Sequence, residues 1–185
     1  MNNPDDCNLA IALLLTTGLR IGELCALTIN DVDLEKHFIL INKMERHPTH
    51  EIVSCKDYSD RIVFLNDDAT AIMRMVIDGK TGELFNNPRT GERYHVNAIS
   101  DRLARIQSKK LRFTNKAIRS PHDCRRTYAS LQYIHGVDIM TIQAQLDHKN
   151  VQQTWDYIKD IVEANDRLNR LECGNLQGLA VNAFN

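Results

Sequence analysis

The 185-residue chain has no CxxC, and its five cysteines (Cys7, Cys25, Cys55, Cys124, Cys173) are odd in number and widely scattered. That pattern speaks against a disulfide framework or a thiolate metal site and for reduced thiols in a cytosolic protein. No apolar run is longer than Leu9 to Leu15, against the roughly 20 residues a membrane span needs. No basic stretch followed by an apolar segment and a small-residue cleavage site opens the chain, so no secretory signal is expected. Internal repeats and low-complexity tracts are absent. Neither sign of charge dominates: 23 basic and 24 acidic residues leave a net charge of −1, which by itself does not suggest a nucleic-acid partner.

What is present is ordinary globular composition, 43% apolar and 25% charged, in a length that suits one domain with a substantial core. The charge is unevenly spread. Between Asp101 and Arg126 stand Arg102, Arg105, Lys109, Lys110, Arg112, Lys116, Arg119, Arg125 and Arg126, opposed only by Asp101 and Asp123, so this window carries +7 and the rest of the chain −8. Such a segment suits phosphate contacts or, equally, a solvated helix face.

The pattern predicts helices over about 5–18, 21–27, 68–77, 96–109, 121–135, 138–146, 151–159 and 162–170. Three β-branched runs, His37 to Asn42, Glu51 to Ser54 and Arg61 to Asn66, predict one small three-stranded antiparallel sheet. The fold class is α+β, mostly α, with that sheet near the N-terminus.

Three segments carry chemistry. In Thr17-Gly18-Leu19-Arg20-Ile21-Gly22-Glu23-Leu24 a helix stops at glycine and an arginine follows with a glutamate three residues on, an arrangement that could brace the guanidinium for phosphate. In Ser120-Pro121-His122-Asp123-Cys124-Arg125-Arg126 a helix start places His122 and Arg125 on one face, where imidazole, guanidinium and free N–H groups converge on an anion. In Leu146-Asp147-His148 a turn presents a histidine, and Tyr157 follows nine residues later on the next helix. His47 and His50 form an HxxH, but Pro48 between them and the lack of further ligands count against zinc.

In order and spacing these segments resemble the catalytic domain of tyrosine recombinases, the lambda-type integrases of phages and mobile elements, over about residues 9–160. The family's arginine falls on Arg20, its His-x-x-Arg on His122 and Arg125, its second histidine on His148 and its nucleophile on Tyr157. Its hairpin lysine falls on Lys56 in SCKDYSDRIVFL, with Lys43 the alternative because Asp57 replaces the usual threonine. Asp147 stands where the family has glycine.

The resemblance implies metal- and ATP-independent cutting and rejoining of double-stranded DNA through a 3′-phosphotyrosine, for integration or excision of a mobile element, with no cofactor and no small-molecule substrate. Tyr157 would attack the phosphate, Arg20, Arg125 and His148 would hold its oxygens, His122 would take the phenol proton and Lys56 would protonate the leaving 5′-oxygen. Arg102, Arg105, Lys109, Lys110, Arg112, Lys116, Arg119 and Arg126 become candidate DNA contacts. The implied domain spans 1–173. A tail over 174–185 (Leu176, Leu179, Val181, Phe184) would dock on a neighbouring protomer, within a tetramer on DNA when full length, and the family's N-terminal helical domain is expected to lie outside this chain. The expected location is the prokaryotic cytosol or nucleoid. Two rivals stand beside this reading, a type IB topoisomerase and a catalytically silent DNA-binding relative.

Overall fold

The computed structural model describes residues 5–54, 60–110 (backbone only from 107), 120–160 and 162–164. Helix α1 (Asp6–Thr17) is the axis of the core. Asp5 caps it by accepting from the Cys7 N–H, and Leu9, Ala10, Ile11, Leu13 and Leu14 are all buried. A helix apolar on so much of its circumference must be surrounded, and α1 packs against α3 (Asp67–Ile77), α4 (Val96–Lys110) and α5 (Pro121–Ile134). A short α2 (Ile21–Cys25) follows directly, then a 3-10 turn at Ile29–Asp31.

The sheet has three strands, but not the three expected. Strand β2 (Phe38–Ile41) pairs antiparallel with β5 (Arg61–Phe64), Ile39 opposite Val63, and on its other edge with β1 (Val32–Asp33). Their inward residues, Ile39, Ile41 and Val63, are buried on the main core. Glu51–Ser54 (β4) instead forms a separate two-stranded hairpin with β3 (Lys43–Arg46). Strand β4 is mostly exposed and its Ile52 stands 41% exposed, so it has no apolar face to commit to the core sheet. Strand β3 reads Lys-Met-Glu-Arg and offers no β-branched residue, which is why strand propensity passes over it.

Beyond α5 come α6 (Ile139–Leu146) and a helix over residues 151–160, α7. Tyr128, Ala129, Ile142, Leu146 and Ile158 bury a second, smaller cluster between them. Among the described residues no helix is long and apolar enough to cross a membrane. The expected tail over 174–185 and most of the helix expected over 162–170 lie outside the described residues.

Candidate active site

Helix α1 ends because Gly18 adopts φ 67, with its N–H returning to the Leu14 carbonyl. The neighbouring helices close on this glycine: a Cβ there would lie 2.4 Å from Tyr128 Cδ1 and 2.7 Å from Leu146 Cδ2. The turn delivers Arg20 to the start of α2, where its N–H donates to Glu23 Oε2 at 2.8 Å and its Nη1 to Glu23 Oε1 at 2.9 Å. Glu23 is buried and also accepts from both terminal nitrogens of Arg61, at 2.7 and 2.8 Å. Burial pushes the Glu23 carboxyl up, but the hydrogen bonds and charge of Arg61, then Arg20, outweigh it and hold its pKa at about 2.

Helix α5 starts on a reciprocal cap, Ser120 accepting from the Asp123 N–H and Asp123 accepting from the Ser120 N–H, with Pro121 at the first position. One turn in, Arg125 is 2% exposed. Its Nη1 donates to the Gly18 carbonyl at 2.8 Å and its Nη2 to the Leu146 carbonyl, tying the ends of α1 and α6 together. Burial first, and the Arg20 charge second, draw its pKa down to about 10, which still leaves it charged at neutral pH. His122 lies on the same face at the solvent-exposed mouth of the site. Desolvation, then Arg125, lowers its pKa below the usual histidine value.

Helix α6 terminates at Asp147 in the left-handed conformation, φ 54, a geometry glycine adopts freely and aspartate tolerates. The next residue, His148, meets the buried Thr154 through Nδ1 and Oγ1 at 2.9 Å, and its carbonyl accepts from Gln143. Burial, then Arg125 and Arg20, lower the His148 pKa to about 4. On α7 the Tyr157 hydroxyl lies 2.9 Å from His122 Nε2. The Tyr157 ring meets the His148 ring edge-on at 4.8 Å and the His122 ring at 5.3 Å.

These side chains line one open cavity of about 340 Å³: Arg20, His122, Arg125, His148, Gln153, Asp156 and Tyr157. The structure thus gathers five of the six sequence-predicted catalytic residues. The sixth, Lys56, lies outside the described residues. The alternative, Lys43, is engaged elsewhere, 2.7 Å from Asp31 and 3.2 Å from Thr28 Oγ1.

Of the predicted DNA contacts, Arg102 is held by Asn8 and Asp5 at the α1–α4 junction. Arg105 lies on α4, and Arg126 stands over the Tyr157 ring at 5.8 Å while pairing with Asp160 at 3.8 Å. The side chains of Lys109 and Lys110, and all of Arg112, Lys116 and Arg119, lie outside the described residues.

Sequence reasoning missed Arg61 and Thr154. Nothing in a strand's first residue announces a partner 38 positions away, and a threonine inside a helix carries no signal of its own. His50 groups not with His47 in a ligand pair but with Glu45 and His95, ligand atoms within 4.8 Å of one another. The Glu45 carboxylate is already satisfied by His50 at 2.7 Å, His95 at 3.3 Å and the Val96 N–H at 3.3 Å, with Arg93 3.7 Å away. A cation would have to compete with that guanidinium, so the cluster is better suited to anchoring the β3–β4 hairpin on α4.

The chain is 31% identical over 151 residues to the tyrosine recombinase XerA of Saccharolobus solfataricus, covering 80% of this chain and 44% of that protein. It is 29% identical over 156 residues to the tyrosine recombinase XerC of Corynebacterium glutamicum, covering 80% and 44%. It therefore spans about half the length of these relatives or less. Among solved structures, a Tn1549 transposon integrase in complex with circular intermediate DNA superposes with a TM-score of 0.69 at 22% identity, over 86% of this chain and 59% of that one. A XerA recombinase superposes with a TM-score of 0.60 at 26% identity, over 83% and 58%. The model of the phage integrase family matches residues 2–163. With that match running from α1 through the tyrosine-bearing helix, the chain belongs to the phage integrase family.

Proposed function

We propose that this chain is the catalytic part of a site-specific DNA recombinase, one that cuts and rejoins strands through a 3′-phosphotyrosine in the integration or excision of a mobile element. The observation that carries the reading is the Tyr157 hydroxyl, 2.9 Å from His122 Nε2, on the rim of a cavity that also holds the Arg20 and Arg125 guanidiniums. A phenol, a neutral imidazole and two fixed cations are what attack on a phosphodiester requires. The XerA and XerC relatives, and the transposon integrase with its circular intermediate DNA, support the same reading.

In this mechanism the scissile phosphate enters between Arg20 and Arg125. Neutral His122 accepts the Tyr157 proton at Nε2 as the phenolate oxygen bonds to phosphorus. The bond from phosphorus to the 5′-oxygen breaks, and Lys56 supplies the proton that this oxygen takes up. The guanidiniums neutralise charge growing on the non-bridging oxygens, and each is already held by the protein, so neither must be organised during the reaction. His148 adds a donor in the tautomer whose Nδ1 accepts from the Thr154 hydroxyl, which puts the ring proton on Nε2 for a phosphate oxygen. Reversal by an incoming 5′-hydroxyl reseals the strand without ATP. Synapsis in a tetramer on DNA belongs to the same reading.

The test is covalent capture on a pool of nicked duplexes of varied sequence, whose short cleavage product diffuses away. The expected result is an SDS-resistant protein–DNA adduct with the native chain and none with Tyr157→Phe, which keeps the ring packing and removes the nucleophile. An adduct formed equally by Tyr157→Phe overturns the assignment. Supercoil relaxation without recombinant products would instead favour the topoisomerase.

A further inference from the structure

Arg20 is not turned wholly toward the cavity. Its Nη1 donates to Asp147 Oδ2 at 3.3 Å as well as to Glu23, and its Nη2 donates to the Asp147 carbonyl at 3.2 Å. The two contacts with Asp147 differ in kind. The carbonyl belongs to the left-handed turn that ends α6 and would remain with any residue able to adopt φ 54. The carboxylate is a negative charge on a partly exposed side chain, 26% accessible, placed against the guanidinium that is to receive an anion.

The surrounding charges show what this does to the pocket. Arg20 and Arg125 line the cavity, and together with Arg61 they face Glu23, which Arg61 and Arg20 share. Glu23 is fixed from the rear and does not occupy the phosphate position. At the rim, Asp156 is opposed by Arg126 and by Lys159 at 3.1 Å. Three cations against Glu23 alone would leave two net positive charges, and Asp147 cuts this to one. Because its carbonyl and its carboxylate both accept from the same arginine, the substituent is built into the site.

We infer that Asp147 is a built-in competitor for the phosphate: its carboxylate engages Arg20 and must be displaced, or tolerated as a like charge, when the scissile phosphate binds. The inference rests on the reading of the cavity as a phosphate site. Asp147 acts through Arg20 and sets how tightly the pocket holds an anion, while its carbonyl keeps the guanidinium aimed.

The experiment is titration of the 185-residue chain with inorganic phosphate at constant ionic strength, following the imidazole resonances of His122 and His148 by NMR. It compares the native chain with Asp147→Asn and Asp147→Gly. Both replacements accept the left-handed conformation, so folding and the carbonyl contact are retained, and Asn isolates the charge. The expected result is phosphate binding about two- to fivefold tighter in both variants, the size of effect a partly exposed charge pair supports. Equal affinities in all three chains, with both imidazoles responding, overturn the inference and leave the phosphate site standing. No response of either imidazole in any chain overturns the inference together with the reading of the cavity.

Discussion

The Glu23 carboxylate lies between two guanidiniums, with Arg61 at 2.7 and 2.8 Å and Arg20 at 2.9 Å, and is almost fully buried. A buried carboxylate is costly unless paired and hydrogen-bonded, and here the pairing also fixes the arginine that faces the cavity. The histidines follow the opposite logic. Burial and the neighbouring cations disfavour their charged forms, lowering His122 below its usual value and His148 to about 4. The proposed proton transfer from Tyr157 needs His122 neutral. Because its pKa is depressed, His122 is already neutral at pH 7, and the rate is lost only as pH falls through a value below 6.5. Initial rates of adduct formation between pH 4.5 and 8 should therefore be flat at neutral pH and decline on the acid side, with folding followed by circular dichroism. A decline already centred above 6.5 contradicts the role given to His122.

Among the elements, the end of α1 matters most for the site. Gly18 must supply a positive φ, leave room for Tyr128 and Leu146, and present its carbonyl to Arg125. Gly18→Ala meets both a left-handed penalty and a steric clash, for a combined loss of about 2–4 kcal/mol. Thermal unfolding should show Tm lowered by about 5 °C or more, and an unchanged Tm would mean that α5 and α6 do not close on this turn as described. The helices themselves were largely legible in sequence. Asp5, Asn66, Ser120 and Asp138 cap α1, α3, α5 and α6 at or within two residues of the expected starts. The sheet was legible only in part. β2 and β5 show buried, β-branched alternation, whereas β3 is charged and β1 is two residues long. Their pairing depends on partners, not on their own composition.

For the whole molecule, a net charge of −1 hides a basic stretch between Asp101 and Arg126. If that stretch tracks a DNA backbone, affinity for nonspecific duplex should fall by about a hundredfold or more between 50 and 200 mM salt, the loss for roughly four phosphate contacts. Fluorescence anisotropy would measure this, and a salt-independent affinity would remove the stretch from the interface. Arg102, already held by Asn8 and Asp5, would contribute less than the free count of basic residues suggests.

By itself the sequence determined the residue types and spacings on which the site depends: Arg20 after a glycine stop, His122 and Arg125 one turn apart, and His148 ahead of Tyr157. It could do so because caps, helical periodicity and turns are local. Only the tertiary structure decided what those residues face. Arg125 reaches the Gly18 carbonyl across 107 positions, Arg20 reaches Asp147 across 127 and Arg61 reaches Glu23 across 38. Such contacts arise when separate helices and strands bury their apolar faces on α1 and on one another. Buried polar groups must then find partners wherever that packing brings them, and no local pattern records where that will be.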